Sequence, residues 1–297
     1  MAQIEVRLKS GPRLIGDGHP TFIVAEMAAN HNGSVSTALR MLEQAKRVGV
    51  DAVKFQKREP EVSIPIEQKA VQKETPWGSM PYVAYRKRLE FWKEYQEIDG
   101  WCGEHDLPWF ASPWDLPSLK FLMLYEPFCI KVGSPSLTDR ELIAACCGTG
   151  LPLILSTGMS TMQEIDGAVN RITKRVPLLL CHCVSAYPCP VEELNLRMVA
   201  TLKRLYPQLP IGYSGHEVGL ATTFAAVALG ACYIERHFTL DRAMWGTDQA
   251  ASVEPQGMAH LIKSIRSVEK ALGDGVKRLT SLEQDAMKRL RRIPSGG

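Results

Sequence analysis

No stretch of this 297-residue chain supplies the ~20 consecutive apolar residues that a membrane-spanning helix requires, so no membrane span is expected. The N-terminus, MAQIEVRLKS, lacks the long apolar core of a secretory signal. Lysine and arginine form no long block before the tail segment KRLRRI, and a formal charge of +3 is small for this length. A nucleic-acid-binding surface is therefore not expected, and the tail reads as the polar or frayed end of a last helix. The cysteines show no finger or ribbon spacing. Cys181, Cys183 and Cys189 flank His182 without the intervals of a structural zinc site. Together with Cys102, Cys129, Cys146, Cys147 and Cys232 they lie mostly in apolar runs, which suits buried thiols in a reducing cytoplasm.

What is present is ordinary in bulk and distinctive in pattern. Hydrophobic residues make up 45% and charged residues 23%, enough for a large core. Short apolar strands are expected near 22–26, 52–55, 108–112, 129–132, 153–156, 178–183, 210–214 and 233–237. Helical patterns fall between and after them, at 34–48, 82–104, 115–124, 138–147, 161–173, 194–205, 219–229 and 256–272. Strands that are apolar throughout fit a parallel sheet buried on both faces. The repeated unit predicts an α/β fold: a (β/α)₈ TIM barrel formed by one domain over residues 1–297. Residues 3–18 read as a β-hairpin turning at Ser10-Gly11-Pro12, placed to cap the bottom of the barrel.

Nearly every predicted strand ends in a polar residue. Successive side chains alternate faces, so Lys54 and Gln56 share a face, as do Ser214 and His216, and Glu235 and His237. The polar groups therefore converge at the C-terminal mouth, where barrel active sites sit. Lys54 and Lys131 can hold an anion, and a lysine such as Lys131 inside an apolar strand is costly without one. Ser112, Ser134, Ser156, Ser185 and Ser214 add short donors around it, although strand-end serines are also common helix caps. Gly133, Gly158, Gly212 and Gly215 permit close backbone approach. His216 and His237, on adjacent strands, can share one divalent ion and leave positions open for substrate. His31 could line the mouth, whereas parity turns His182 outward.

Glu26 and Asp248 could orient hydroxyls or move a proton, or simply pair with a neighbouring lysine. Two long insertions, 57–81 and 239–255, emerge on the same face and read as lids or as surface excursions.

In this order the strings FIVAEMAANHNG, DAVKFQKR, FASPWD, IKVGSPSLTD, ILSTGMST, LCHCVSAYPCP, IGYSGHE and IERHFTLDRAMWGTDQAASVEP resemble the sialic acid synthase (N-acetylneuraminate synthase) family, over roughly residues 12–290. The resemblance implies a transferase of carbohydrate biosynthesis that condenses phosphoenolpyruvate with an aldose to give a 3-deoxy-2-ulosonic acid and phosphate. It implies phosphoenolpyruvate contacts at Lys54, Ser112 (where relatives usually carry Thr), Lys131, Ser134, Ser156, Ser185 and Ser214. It implies metal ligands at His216 and His237, typically for Mn²⁺ with Mg²⁺ or Co²⁺ as alternatives, and sugar contacts at Glu26, Gln56, Tyr187 and Asp248.

Relatives usually carry a C-terminal antifreeze-like domain that swaps across a dimer and helps bind the acceptor's N-acyl group. This chain stops at Gly297 without one, so the expectation is a sugar lacking that group or a separate polypeptide that completes the site. A cytoplasmic homodimer or higher homo-oligomer is expected. A phosphorylated aldose is the alternative acceptor, with Arg58, Arg86, Arg88 and Arg242 as candidates for its phosphate. A catalytically idle barrel that binds a sugar acid is the non-enzymatic alternative. The Trp-bearing segments TPWG, SPWD and AMWG could shape a sugar pocket or pack beneath the loops.

Overall fold

The computed structural model describes residues 2–293. Eight parallel strands form the barrel: Phe22–Glu26, Ala52–Lys57, Trp109–Pro113, Ile130–Val132, Leu153–Ser156, Leu178–Cys183, Ile211–Gly215 and Tyr233–His237. Each except the third pairs with the next in chain order, and the eighth pairs with the first. The third and fourth lie side by side and bring the ring nearly to closure, without a ladder between them among the described residues.

Parity sorts every strand into two faces. Outward residues such as Ile23, Val53, Phe55, Leu155, Leu180 and Ile234 join the helices in one large apolar layer. Inward residues form a second, smaller cluster that includes Phe22, Val24, Ala52, Phe110, Ile154, Leu179 and Tyr233. The hairpin Gln3–Leu8/Gly11–Gly16 inserts Ile4, Val6 and Ile15 into that inner cluster, so it plugs the N-terminal end of the barrel. Apolar plug below and polar strand ends above give the barrel one open end.

Helix starts are set by local chemistry. Ser34 accepts from the Thr37 amide ahead of Val35–Val48, and Gly49, at φ 85°, ends that helix in the left-handed region. Asp115, Asp139 and Thr161 cap the helices after strands three, four and five. The expected helix over 82–104 is instead two, Tyr82–Leu89 and Tyr95–Glu104. The break lets the Glu90 carboxylate approach Lys57 and Arg58, and lets Phe91 stack on His31 at 4.2 Å between ring centroids. Such long-range contacts outweigh a continuous helical pattern.

The KRLRRI segment runs from the last turn of a final helix, Ser281–Leu290, to the last described residue. No helix among the described residues is long and apolar enough to cross a membrane.

The two insertions meet. The first contains the short helices Pro60–Ser63 and Ile66–Lys69 and the ribbon Gln72–Lys73/Met80–Pro81. Its Trp77 packs edge-on against Trp245 of the second, at 5.7 Å. The loop after strand one holds the second insertion in place. Asn30 Nδ2 donates to Phe238 O and Ser252 Oγ, both at 2.8 Å, and Asn32 Nδ2 donates to Trp245 O at 2.9 Å.

Candidate active site

Strand register places the polar ends next to one another. Glu26 is the ladder partner of Lys54 on one side and of His237 on the other. Gln56 pairs with Ser112, and Ser214 with Glu235. The result is a cleft of about 310 Å³ at the C-terminal mouth. Of the thirteen residues expected from sequence to form the site, twelve line it: Lys54, Gln56, Ser112, Lys131, Ser134, Ser156, Ser185, Tyr187, Ser214, His216, His237 and Asp248. Glu26, expected at the sugar, does not line it. It is wholly buried behind Lys54, 2.5 Å from that ammonium, and accepts from Gln56 Nε2 at 3.2 Å.

The centre of the floor is a residue to which the sequence reading gave no role. Glu235 accepts from Lys131 Nζ with both oxygens, at 2.8 and 2.9 Å, and lies 3.6 Å from Lys54 Nζ. Tyr233 and Ser214 donate to it at 2.7 and 3.3 Å. Its spacing of two residues from His237 was the available signal. Burial opposes the Glu235 charge, but the two lysines outweigh it and hold the carboxyl well below the usual range. Burial likewise opposes charge on Lys131; Glu235 outweighs it and raises the lysine to about 12. Glu26 moves the other way, because burial and the nearby Glu235 charge outweigh Lys54.

Several polar atoms at the site make no hydrogen bond, although Arg58 Nε lies 3.6 Å from Glu90 and His237 Nδ1 lies 3.7 Å from Asp248. Among the described residues the Ser156 and Ser185 hydroxyls, His237 Nδ1, and the Nε atoms of Arg58 and Arg86 are buried without a hydrogen bond. Unsatisfied buried groups are rare, and a cluster of them in a cleft points to a ligand. The capping alternative for Ser156 is settled, since Thr161 caps the following helix. Gly158 donates to Ser134 Oγ at 3.0 Å, and a Cβ there would strike Ser185 Oγ and lie 2.8 Å from Ser134 Oγ. Lys54 donates to Ser112 Oγ at 3.2 Å.

The two imidazoles stand 5.2 Å apart between centroids, and Tyr187 covers His216 at 4.0 Å. His216 Nδ1 is 2.7 Å from Val184 O, which makes that nitrogen the donor; burial opposes charge on the ring, but Cys183 and the Val184 carbonyl outweigh it and raise the histidine, so Nε2 offers its lone pair only in the neutral form. Burial lowers His237 to about 3, so it is neutral, as a ligand must be. No group of three or more His, Cys, Asp and Glu side chains is placed to hold a metal ion among the described residues. An orphaned neutral imidazole beside an oriented one fits a divalent ion whose remaining positions come from substrate and water.

Cys183 also lines the cleft, accepting from Ser134 Oγ at 3.5 Å with its Sγ 3.8 Å from His216 Nδ1. His182 faces outward, with Nε2 2.7 Å from Leu194 O. His31 lies outside the cleft lining, stacked on Phe91. All the cysteines are free and buried. Of the candidate phosphate-binding arginines, Arg58 and Arg86 line the cleft. Arg88 instead stacks on Trp77 at 4.4 Å, and Arg242 donates to Ala250 O at an exposed position. Of the tryptophans, Trp114 lines the cleft beneath Arg58, while Trp77 and Trp245 pack on each other.

A family profile described as the NeuB family matches residues 41–277. The chain is 38% identical over 295 residues to mouse N-acetylneuraminate-9-phosphate synthase, covering 97% of this chain and 80% of that one. It is 35% identical over 271 residues to an N,N'-diacetyllegionaminic acid synthase of Campylobacter jejuni, covering 89% and 81%. Among solved structures, a sialic acid synthetase of Leptospira borgpetersenii in complex with citrate superposes with a TM-score of 0.86. That pair shares 33% identity over 98% of this chain and 99% of the other.

Proposed function

The chain belongs to the NeuB family of sialic-type acid synthases, and on that footing we propose that this enzyme condenses phosphoenolpyruvate with the open-chain form of an aldose. The product is a 3-deoxy-2-ulosonic acid, and inorganic phosphate is released. One observation carries the reading. Lys54, Lys131 and the unpartnered hydroxyls of Ser156 and Ser185 face one cleft together with two neutral-capable imidazoles.

The reaction forms a bond from C3 of phosphoenolpyruvate to the aldehyde carbon. Water adds at C2, and the C2–O bond to phosphate then breaks, with one proton passing to the new alkoxide. Lys54 and Lys131 face the carboxylate and phosphate, whose charge must be balanced throughout. Glu235 fixes both ammonium groups in place, so little reorganisation is needed when charge moves. Ser134, oriented by the Gly158 amide, joins Ser156 and Ser185 as short donors around the anion.

Glu26, held at 2.5 Å from Lys54, is positioned to exchange a proton through that lysine. A divalent ion such as Mn²⁺ would be held by His216 and His237 and would act as a Lewis acid on the aldehyde oxygen. Gln56, Tyr187 and Asp248 line the cleft above this level and would meet the sugar.

Mass spectrometry of the products from phosphoenolpyruvate, Mn²⁺ and a panel of aldoses tests the reading. The panel includes N-acetylmannosamine, mannose, shorter sugars and their phosphorylated forms. One aldose should gain the three carbons of pyruvate while phosphate appears in equal amount. Recovery of every sugar unchanged, with or without loss of phosphoenolpyruvate, would refute it.

A further inference from the structure

We infer that Glu217 and Arg236, buried behind the cleft wall, set the spacing of His216 and His237 and are positioning residues for the divalent ion that the two imidazoles would hold. The geometric part stands on contacts within the chain, and only the consequence for the ion rests on the synthase reading. The sheet alone leaves His216 weakly fixed. The ladder between strands seven and eight ends at Gly215 and Arg236, one residue below each histidine. The ladder between strands six and seven ends at Cys183 and Ser214. His237 still pairs with Glu26 of strand one. His216 has its ring contact with Val184 O and a main-chain bond, 3.0 Å long, from the Cys189 amide to its carbonyl.

Arg236 takes over where the ladder stops. Glu235 and His237 line the cleft, so Arg236 between them points outward. Its contact with Glu217 Oε1 is an ion pair at 3.0 Å, but the guanidinium also grips main chain. Nη2 donates to Glu217 O at 2.5 Å, and Nη1 donates to Gly219 O at 3.0 Å. Nη1 also reaches Thr223 Oγ1, at 2.6 Å, in the first turn of the helix Ala221–Ala228. The residue before His237 therefore clamps the backbone just after His216. A planar guanidinium can hold several acceptors at once because its donors form a rigid fork.

Glu217 is fixed just as firmly. Thr222 and Thr223 donate to its Oε1 at 2.7 and 3.2 Å, and the Tyr213 hydroxyl donates to Oε2 at 2.8 Å. Gly215 leaves room for this, since a Cβ there would lie 2.6 Å from both Glu217 Oε2 and the Tyr213 ring. Arg236 and Glu217 are 1% and 0% exposed. Of the pair's charged groups, Arg236 Nε alone makes no hydrogen bond. A buried network this nearly satisfied is rigid.

Rigidity there matters because functional constellations work only within about 0.5 Å of their productive geometry. Loss of a contact that supports a metal ligand typically costs about 10–100-fold in affinity. The informative variant replaces both partners, Glu217→Leu with Arg236→Met. An apolar pair in place of a buried ion pair is often neutral for stability, so this double variant keeps the packing and loses the clamp.

Two measurements test the inference. The first is a crystal structure of the metal-free double variant beside one of the parent. The imidazole centroids, 5.2 Å apart in the parent, should change their separation by more than about 0.5 Å as residues 216–219 shift. Superimposable histidines would overturn the inference, as would a double variant that cannot fold, since the pair would then belong to the core rather than to the site.

The second measurement reads Mn²⁺ affinity without substrates, from the electron paramagnetic resonance signal of the free ion. Affinity should fall by about tenfold or more in the double variant and in Arg236→Lys, which keeps the charge but not the fork. It should hold in Arg266→Gln, which removes a guanidinium bound to Thr21 O and Asp51 at the opposite end of the barrel. Unchanged affinity in the double variant, or an equal loss in Arg266→Gln, would overturn the inference. A parent chain that binds no Mn²⁺ would refute the metal reading instead, and the histidine spacing in the first measurement would then decide for or against the clamp.

Discussion

Glu235 grips Lys131 with both carboxylate oxygens, at 2.8 and 2.9 Å, while Lys54 stands 3.6 Å from one of them. One acid thus organises two cations at the floor of the cleft, and all three groups are at most 5% exposed. Removing one member of a buried ion pair leaves the other uncompensated, at a typical cost of 3–5 kcal/mol. Glu235→Gln is expected to lower unfolding free energy by about 3 kcal/mol and to weaken phosphoenolpyruvate binding, because both ammonium groups lose their anchor. Urea unfolding and a phosphoenolpyruvate titration check the two effects separately.

Acid sensitivity should begin well above the carboxylate range. Burial, then the charge of Arg86, lowers His31 from 6.5 to about 3. A depressed histidine is neutral in both folded and unfolded chains above pH 6.5 and contributes no pH dependence there. Below pH 6.5 the unfolded chain binds the proton first, so stability falls as pH drops toward about 3. Each pH unit in that window costs about 1.4 kcal/mol for this group. In His31→Gln the slope of unfolding free energy against pH between 6 and 4 should decrease by about one proton.

Gly158 tests the anion cradle without touching a charge. Its amide donates to Ser134 Oγ, and a methyl group there would collide with the Ser185 hydroxyl. Gly158→Ala is expected to raise KM for phosphoenolpyruvate by about tenfold or more, the worth of one or two displaced hydrogen bonds. The aldose KM should change far less. Steady-state kinetics with each substrate varied in turn separates the two.

The histidines can be told apart by metal binding alone. Calorimetric titration with Mn²⁺ should give one site per chain that is lost in both His216→Ala and His237→Ala. His182→Ala should keep the site, since that imidazole faces outward toward Leu194 O. Treatment with a chelator should abolish turnover, and Mn²⁺ should restore it in the parent chain and in His182→Ala only.

Much of this site was legible because a strand's alternation is rigid. Once Lys54 and Gln56 were placed on one strand, their common face followed, and so did that of Glu235 with His237. Depth was not legible. Glu26 ends its strand as the others do, but Lys54 lies between it and the cleft, a matter of side-chain reach rather than of parity. Glu235 went unassigned because an acid next to an arginine on a buried strand looks like an ordinary ion pair. It is Arg236, facing outward, that makes the ordinary pair, with Glu217 at 3.0 Å.

The break at Glu90 was hidden for a similar reason. Its cause is two cations more than thirty residues earlier in the chain. Arg86 and Arg88 looked equivalent in sequence. Two residues on a helix rotate by about 200°, which sends Arg86 into the cleft and Arg88 to the surface.

The most direct test of the chemistry uses phosphoenolpyruvate carrying ¹⁸O in the oxygen that bridges C2 and phosphorus. It is incubated with Mn²⁺ and the reactive aldose, and then without the aldose. The account predicts phosphate release only when the aldose is present, with the bridging label wholly in the phosphate. Label retained in the organic product would mean that the phosphorus–oxygen bond is cleaved, and release without the sugar would mean that phosphate loss is not coupled to condensation; either result would contradict it.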